Sequence, residues 1–224
     1  MRSLTAWCVM TAGVLFGIAG SASAQTVAPP PAEEKGYVEA FAQSAFGNVT
    51  SQSYGGEVGV TIHPHLQVFG EFGIIRNVAT TGLSANASLI AGALATLQSA
   101  AVDFTVKEPV TFGAGGVRYL IPTTTKLQPY VLAGGGAASV KKDVKFSAGG
   151  ADITSSLASS PYYTVLGSDL AGTVSKPMIT AGGGVVWHVA SKLRVDLGYR
   201  FGRIMTETTG TNVSRAGVGL GITF

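Results

Sequence analysis

The sequence predicts an all-β fold: an eight-stranded antiparallel up-and-down transmembrane β-barrel. Three observations lead there. The 224 residues include 31 Gly and only 12% charged residues, at a mean hydropathy of +0.35, yet the hydrophobicity is spread over short segments. Those segments alternate apolar residues with polar ones or glycine at a period of two, which is the pattern of strands. The connections between them are short at one end of the implied barrel and long at the other. A barrel wall needs lipid-facing side chains only at alternate positions, so high apolarity can coexist with the absence of a long apolar run.

The N-terminus is read separately. Residues 1–24 have the form of a secretory signal: Arg2, an apolar core from Ala6 to Ala19, and an Ala22-Ser23-Ala24 cleavage site before Gln25. Cys8 is the chain's single cysteine and would leave with this segment, so no disulfide and no thiol nucleophile are expected afterwards. Residues 25–34, with Pro29-Pro30-Pro31 and Glu33-Glu34, read as a stiff extended linker. The barrel domain is expected over residues 35–224. Loss of Arg2 would lower a formal charge that is only +3 to begin with, and no Lys/Arg run occurs, so nucleic-acid binding is not expected.

The strands follow in order. Val38 to Phe46 puts Tyr37, Glu39, Phe41 and Gln43 on one face. Tyr54, Gly56, Val58, Val60 and Ile62 then alternate with Gly55, Glu57, Gly59 and Thr61. After His63-Pro64-His65, Leu66, Val68, Gly70, Phe72 and Ile74 alternate with Gln67, Phe69, Glu71 and Gly73. Val110 to Ile121 and Leu127 to Val140 are dominated by Gly and Ala, and their facing is open at this stage. Ile179, Ala181, Gly183, Val185, Trp187 and Val189 alternate with Thr180, Gly182, Gly184, Val186 and His188. The last two strands alternate most clearly. Leu193, Val195, Leu197, Tyr199 and Phe201 oppose Arg194, Asp196, Gly198, Arg200 and Gly202. Ala216, Val218, Leu220, Ile222 and Phe224 oppose Arg215, Gly217, Gly219, Gly221 and Thr223.

Three connections are short: His63-Pro64-His65, Pro122 to Lys126 and Ala190 to Lys192. The opposite ones run from Gly47 to Gln52, Asn77 to Pro109, Ser147 to Lys176 and Glu207 to Asn212, two of them long. In the long loop 77–109, Leu89, Ile90, Ala93, Leu94 and Leu97 recur at helical spacing without a charge between Arg76 and Asp103. A short helix packed on the barrel rim or dipping into its mouth is expected there, a candidate lid. Aromatic residues are expected in two interfacial girdles, with Tyr37, Tyr119, Tyr130, Trp187 and Phe224 toward the short turns and Phe46, Tyr54, Phe72, Phe112 and Phe201 toward the other end.

These residues resemble the small outer-membrane β-barrel proteins, a group that includes the OmpA- and OmpX-type eight-stranded barrels. The resemblance spans essentially all of 35–224. It is carried by Gly115-Gly116-Val117-Arg118-Tyr119, by Pro129-Tyr130-Val131 with Gly134-Gly135-Gly136, by Asp196 to Phe201 and by the ending Ala216 to Phe224. It implies residence in the bacterial outer membrane with short turns periplasmic and long loops extracellular. It also implies an assembly signal at Leu220, Ile222 and Phe224, read by the outer-membrane assembly machinery. A peptidoglycan-binding domain after the barrel, as in the tethering subtype, is not expected.

The lumen-facing charges Glu57, Glu71, Arg118, Arg194, Asp196 and Arg200 form the main candidate constellation. An eight-stranded barrel is just wide enough for side chains to fill, so each charge must find a partner. A cross-barrel ion-pair network is expected, acting as a structural plug or as a gate. Inward glycines at 182, 184, 217, 219 and 221 could leave internal space. Tyr162 and Tyr163 are candidate contact residues in the loop 147–176. No cofactor, metal site or catalytic centre is expected, because His63, His65 and His188 all lie near the short turns without a paired nucleophile. The expected role is a structural or surface-interaction one in a monomer surrounded by outer-membrane lipid. The alternatives are a small porin-like passive channel and an adhesin acting through its loops.

Overall fold

The computed structural model describes residues 34–224 apart from 99, 160–161, 168–169 and 206–209. The signal and most of the linker therefore lie outside the described residues. Ten strands and one long helix follow in chain order: β1 (Gly36–Phe46), β2 (Ser51–His63), β3 (Leu66–Ile75), α1 (Thr81–Gln98), β4 (Val102–Lys107), β5 (Val110–Leu120), β6 (Leu127–Ala148), β7 (Ala151–Asp152), β8 (Ala171–Ala190), β9 (Leu193–Ile204) and β10 (Thr211–Thr223).

Eight of the strands form the expected ring, β1-β2-β3-β5-β6-β8-β9-β10, each antiparallel to its neighbours and closed by β1 against β10. Closure leaves no edge within the ring, which is what lets a sheet sit in lipid without unpaired backbone groups. The seam is finished by the chain end: Lys35 N and Gly36 N donate to Phe224 O at 2.9 and 3.1 Å, and Phe224 N donates to Gly36 O at 3.0 Å. Strand faces follow the alternation in the sequence. Val58, Val60, Phe72, Leu197, Leu220 and Ile222 are exposed on the outside, while Glu39, Glu57, Glu71, Arg194, Arg200 and Arg215 are buried inside.

The Gly/Ala-rich strands, whose facing the sequence left open, take the same pattern. Phe112, Ala114 and Arg118 of β5, and Tyr130, Leu132 and Ala138 of β6, point inward, with Val117, Tyr119 and Val131 outward.

Two expectations are corrected. The strands flanking the loop 147–176 are longer than expected: β6, read as ending at Val140, continues to Ala148, and β8, read from Ile179, begins at Ala171, giving 22 and 20 residues. Their register is continuous from Leu127↔Trp187 to Asp143↔Ala171. A membrane crossing takes about 9–11 residues, so each arm of this hairpin is about twice that length. The loop 77–109 also contains a strand the sequence did not reveal, β4, which pairs with the outer half of β6 from Val102↔Ala148 to Lys107↔Asp143.

The expected helix is present and longer than expected, at 18 residues. Among the described residues no helix is long and apolar enough to cross a membrane. Leu83, Ala87, Ala91 and Leu94 of α1 pack against Val144 and Phe146 of β6, with Ile153, Leu157 and Leu170. Leu89 and Leu97, which helped to reveal the helix, are exposed. An uncharged helix with apolar residues all round does not announce its buried face. Val144 and Phe146 continue the inward-facing series of β6, so α1 covers the lumenal side of the extended hairpin.

Candidate functional site: the charged lumen

Inside the ring, one row of charges is acidic and another basic. Register places Glu39 opposite Glu57 and Glu57 opposite Glu71 across β1, β2 and β3. Arg200 and Arg215 stand opposite each other on β9 and β10. Each row repels itself, and neither is tolerable in a low-dielectric interior until the other faces it. Barrel closure supplies that. Arg200 Nη1 donates to Glu71 Oε2 and lies at ion-pair distance from Glu57 Oε2. Arg215 Nη2 donates to Glu71 Oε1 at 2.9 Å. Arg118 donates to Glu57 and lies 3.4 Å from Asp196 Oδ2. Arg194 Nε is 3.3 Å from Glu39 Oε2, and its Nη2 is 3.7 Å from Asp196 Oδ2.

All six predicted lumen residues, Glu57, Glu71, Arg118, Arg194, Asp196 and Arg200, thus meet in one connected network. Sequence reasoning left three members out. Glu39 and Arg215 were visible on the inward faces of their strands, and the same face rule would have included them. Glu34 was assigned to the linker, and only the fold brings its carboxylate to Arg194 at 2.7 Å.

Aromatic rings hold the guanidinium groups in place. Arg118 lies 4.1 Å from the ring centroid of Tyr130 and 5.0 Å from that of Tyr37, Arg194 lies 3.8 Å from Tyr37, and Arg215 lies 4.3 Å from Phe112. Desolvated cations over ring faces gain electrostatically. The Tyr37 hydroxyl donates to Glu57 at 2.5 Å and the Tyr130 hydroxyl donates to Asp196 at 2.8 Å. This corrects the girdle assignment: Tyr37, Tyr130 and Phe112 are buried lumen residues. Tyr119, Trp187 and Phe224 at one end, and Phe46, Tyr54, Phe72 and Phe201 at the other, are exposed on the outer surface.

The inward glycines also differ from expectation. The room they leave is taken by the backbone of the adjoining strand, such as Leu197 O against a Cβ on Gly184 and Ala42 O against one on Gly217, and by neighbouring side chains. A Cβ at Gly184 would sit 2.8 Å from the Tyr130 hydroxyl, one at Gly217 2.9 Å from Gln43 Cγ, and one at Gly219 3.0 Å from the Glu39 carboxylate. At Gly59 a Cβ would collide with the Tyr37 ring. These glycines make way for the large members of the network.

Apolar material flanks the charges. Phe69, Leu120, Tyr130, Leu132 and Val186 form one buried cluster. At the long-loop end Phe41, Ile75, Val110, Phe112, Met178, Ile204 and Val213 form another, drawn from seven strands of the ring when Ala138 of β6 is counted. Among the described residues, Gln43 Oε1, Ser53 Oγ and Thr180 Oγ1 are buried without a hydrogen-bond partner.

The other candidates are placed as follows. Leu220, Ile222 and Phe224 line the outer surface beside the seam. Tyr162 and Tyr163 part company: Tyr162 packs against the core beneath α1, whereas Tyr163 is 77% exposed and has a φ of 46°. A positive φ is uncommon for a bulky residue. His63 and His65 sit at one short turn with ring centroids 6.3 Å apart. Among the described residues no group of three or more His, Cys, Asp or Glu is arranged to hold a metal ion.

Comparison with solved structures agrees with the fold. The chain is similar to Neisserial surface protein A, with a TM-score of 0.55 at 15% identity over 85% of this chain and 97% of that one. Weaker likenesses are to Ail, the attachment invasion locus protein of Yersinia pestis (TM-score 0.46, 14% identity, 86% and 100% covered), and to the N-terminal β-barrel domain of Pseudomonas aeruginosa OprF (TM-score 0.45, 16% identity, 84% and 97% covered). No protein-family model and no curated protein matches the chain. At these identities the likeness is one of fold.

Proposed function

We propose that this chain is an integral protein of the bacterial outer membrane with a structural or surface-interaction role, and that its lumen is closed by its own ion-pair network. The observation that carries the closed lumen is the network itself. Arg118, Arg194, Arg200 and Arg215 are each at most 2% exposed, and Arg118, Arg200 and Arg215 reach across the lumen to Asp196 and Glu71. The membrane location is supported by the ring of exposed apolar side chains, by the closed backbone ladder and by the secretory character of residues 1–24. Leu220, Ile222 and Phe224 are assigned to recognition by the assembly machinery, and the protein is taken as a monomer. Neither nucleic-acid binding nor an enzymatic activity is part of the proposal. The three histidines lie at the short-turn end, and Tyr163 is an exposed loop residue available for contact with another molecule.

Planar-bilayer recordings test the closed lumen. The purified protein is expected to leave the bilayer electrically silent, and discrete openings would overturn closure. The second reading, a narrow channel, is favoured by the unpartnered Gln43, Ser53 and Thr180 atoms. It calls for openings altered by charge changes at Glu71 or Arg194 and for a conductance that rises when residues 84–101 of the α1 segment are deleted.

A further inference from the structure

Glu34 belongs to no strand, yet its carboxylate enters the barrel at the short-turn mouth. Arg194 Nη1 donates to Oε1 at 2.7 Å, and His188 Nε2 lies 3.4 Å from Oε2. Both partners are held on strands, and the Arg194 side chain is 1% exposed. Burial acts to raise the Glu34 pKa, but the hydrogen bond from His188 and the charge of Arg194 outweigh it and hold the carboxyl below its ordinary range. Beside this carboxylate opens a cavity of about 470 Å³, with Thr61, His63, His65, Leu120, Gln128 and His188 in its walls. Two imidazole atoms there, His65 Nδ1 and His188 Nδ1, are buried and have no hydrogen-bond partner among the described residues. The volume lies within the range of pockets that take small organic ligands, roughly 300–1,000 Å³.

Charge balance separates Glu34 from the rest of the network. The strand arginines Arg118, Arg194, Arg200 and Arg215 already face the strand carboxylates Glu39, Glu57, Glu71 and Asp196. Glu34 is additional to that matched set. If it leaves, Arg194 keeps Glu39 at 3.3 Å and Asp196 at 3.7 Å. Those two contacts are ion pairs without hydrogen bonds, because Arg194 Nε and Nη2 have no hydrogen-bond partner among the described residues, so the position beside Nη1 calls for a carboxylate, the chain's own or another.

We propose that the short-turn mouth is a binding site for a small organic carboxylate, and that the chain's own Glu34 occupies its anion subsite. The ligand's carboxylate would accept from Arg194 and His188, and its body would lie in the cavity against Leu120 with His65 and Gln128 within the same walls. A tethered carboxylate competes at an effective concentration in the millimolar range or above, so the intact protein binds a free acid weakly. This inference does not depend on whether the lumen conducts.

Succinate binding to the detergent-solubilised full chain, measured by calorimetry, tests it. Glu34→Ala is expected to bind succinate at least ten-fold more tightly than the unaltered protein, and adding His188→Ala is expected to abolish the gain. Equal affinities for Glu34→Ala and the unaltered protein, or a gain indifferent to His188→Ala, would overturn the proposal. Should the double variant fail to fold, the His188 ring resonance in Glu34→Ala decides the matter. A saturable shift with succinate is expected, and its absence overturns the site.

Discussion

Arg118 is fully buried, pairs with both Glu57 and Asp196, and lies against two tyrosine rings. Bringing such a cation out of water costs several kcal/mol, which only well-placed partners offset. The network is built so that almost every partner is shared. Glu57 serves Arg118 and Arg200, Glu71 serves Arg200 and Arg215, and Asp196 serves Arg118 and Arg194. Removing one member therefore strands another in a dry interior. Arg118→Met is expected to destabilise the barrel by about 3–5 kcal/mol, read as a lower urea midpoint in micelles. An unchanged midpoint would mean that the pairs are dispensable to stability.

Among the elements, α1 is held by its buried apolar face, and the turn that leads into it is tied to a buried acid. Glu108, between β4 and β5, is buried and accepts a hydrogen bond from Thr80 N at 3.1 Å, just before the first turn of the helix. Asn77 Oδ1 accepts from Ala79 N and Glu108 N, and Val78 N donates to Glu108 O. A carboxylate at a helix N-terminus is favourable, but burial raises the Glu108 pKa more than the Thr80 amide and Lys142 lower it. A carboxyl whose folded pKa is raised contributes most below its unfolded pKa and loses that contribution as the pH rises through the folded value. Protection of the α1 amides, after correction for intrinsic exchange, should then fall as the pH climbs past the ordinary carboxylate range. Glu108→Gln keeps an acceptor for Thr80 without the charge. Hydrogen exchange followed by mass spectrometry should show α1 more protected at neutral pH in this variant, and with no pH step.

At the scale of the whole molecule, the outside carries exposed apolar side chains and the inside is charged and paired with itself. The seam pairs the first strand of the ring with the last, so the barrel closes only once β10 is in place against β1. Phe224 makes three backbone hydrogen bonds there, and its ring packs over Gly36. Deleting Phe224 is expected to lower the protease-resistant, folded fraction recovered from membranes severalfold. The purified variant's strand-borne ion pairs should be unaffected, since the Phe224 side chain is exposed on the outer surface. A folded yield equal to that of the full chain would remove Phe224 from any role in assembly.

The segregation of short turns from long loops pointed to the barrel. The alternation at Leu193 to Phe201 and Ala216 to Phe224 determined the strands and their faces, because a period of two leaves only one way to sort apolar from polar residues. The same rule placed Glu57, Glu71, Arg194, Asp196 and Arg200 in the lumen. It was weaker where Gly and Ala remove the contrast, as in β5 and β6, and there the ring of neighbours decided the facing. It had no hold on β4, whose six residues VDFTVK become a strand only because the long β6 offers them an edge, nor on the buried face of an uncharged helix. Tertiary structure alone decided that Tyr130 and Phe112 would face the arginines of the lumen, that inward glycines would make room for neighbouring strands and large side chains, and that Glu34 would reach Arg194 across 160 residues of sequence. Period and composition are local properties. Which charge meets which is fixed only when the sheet closes on itself.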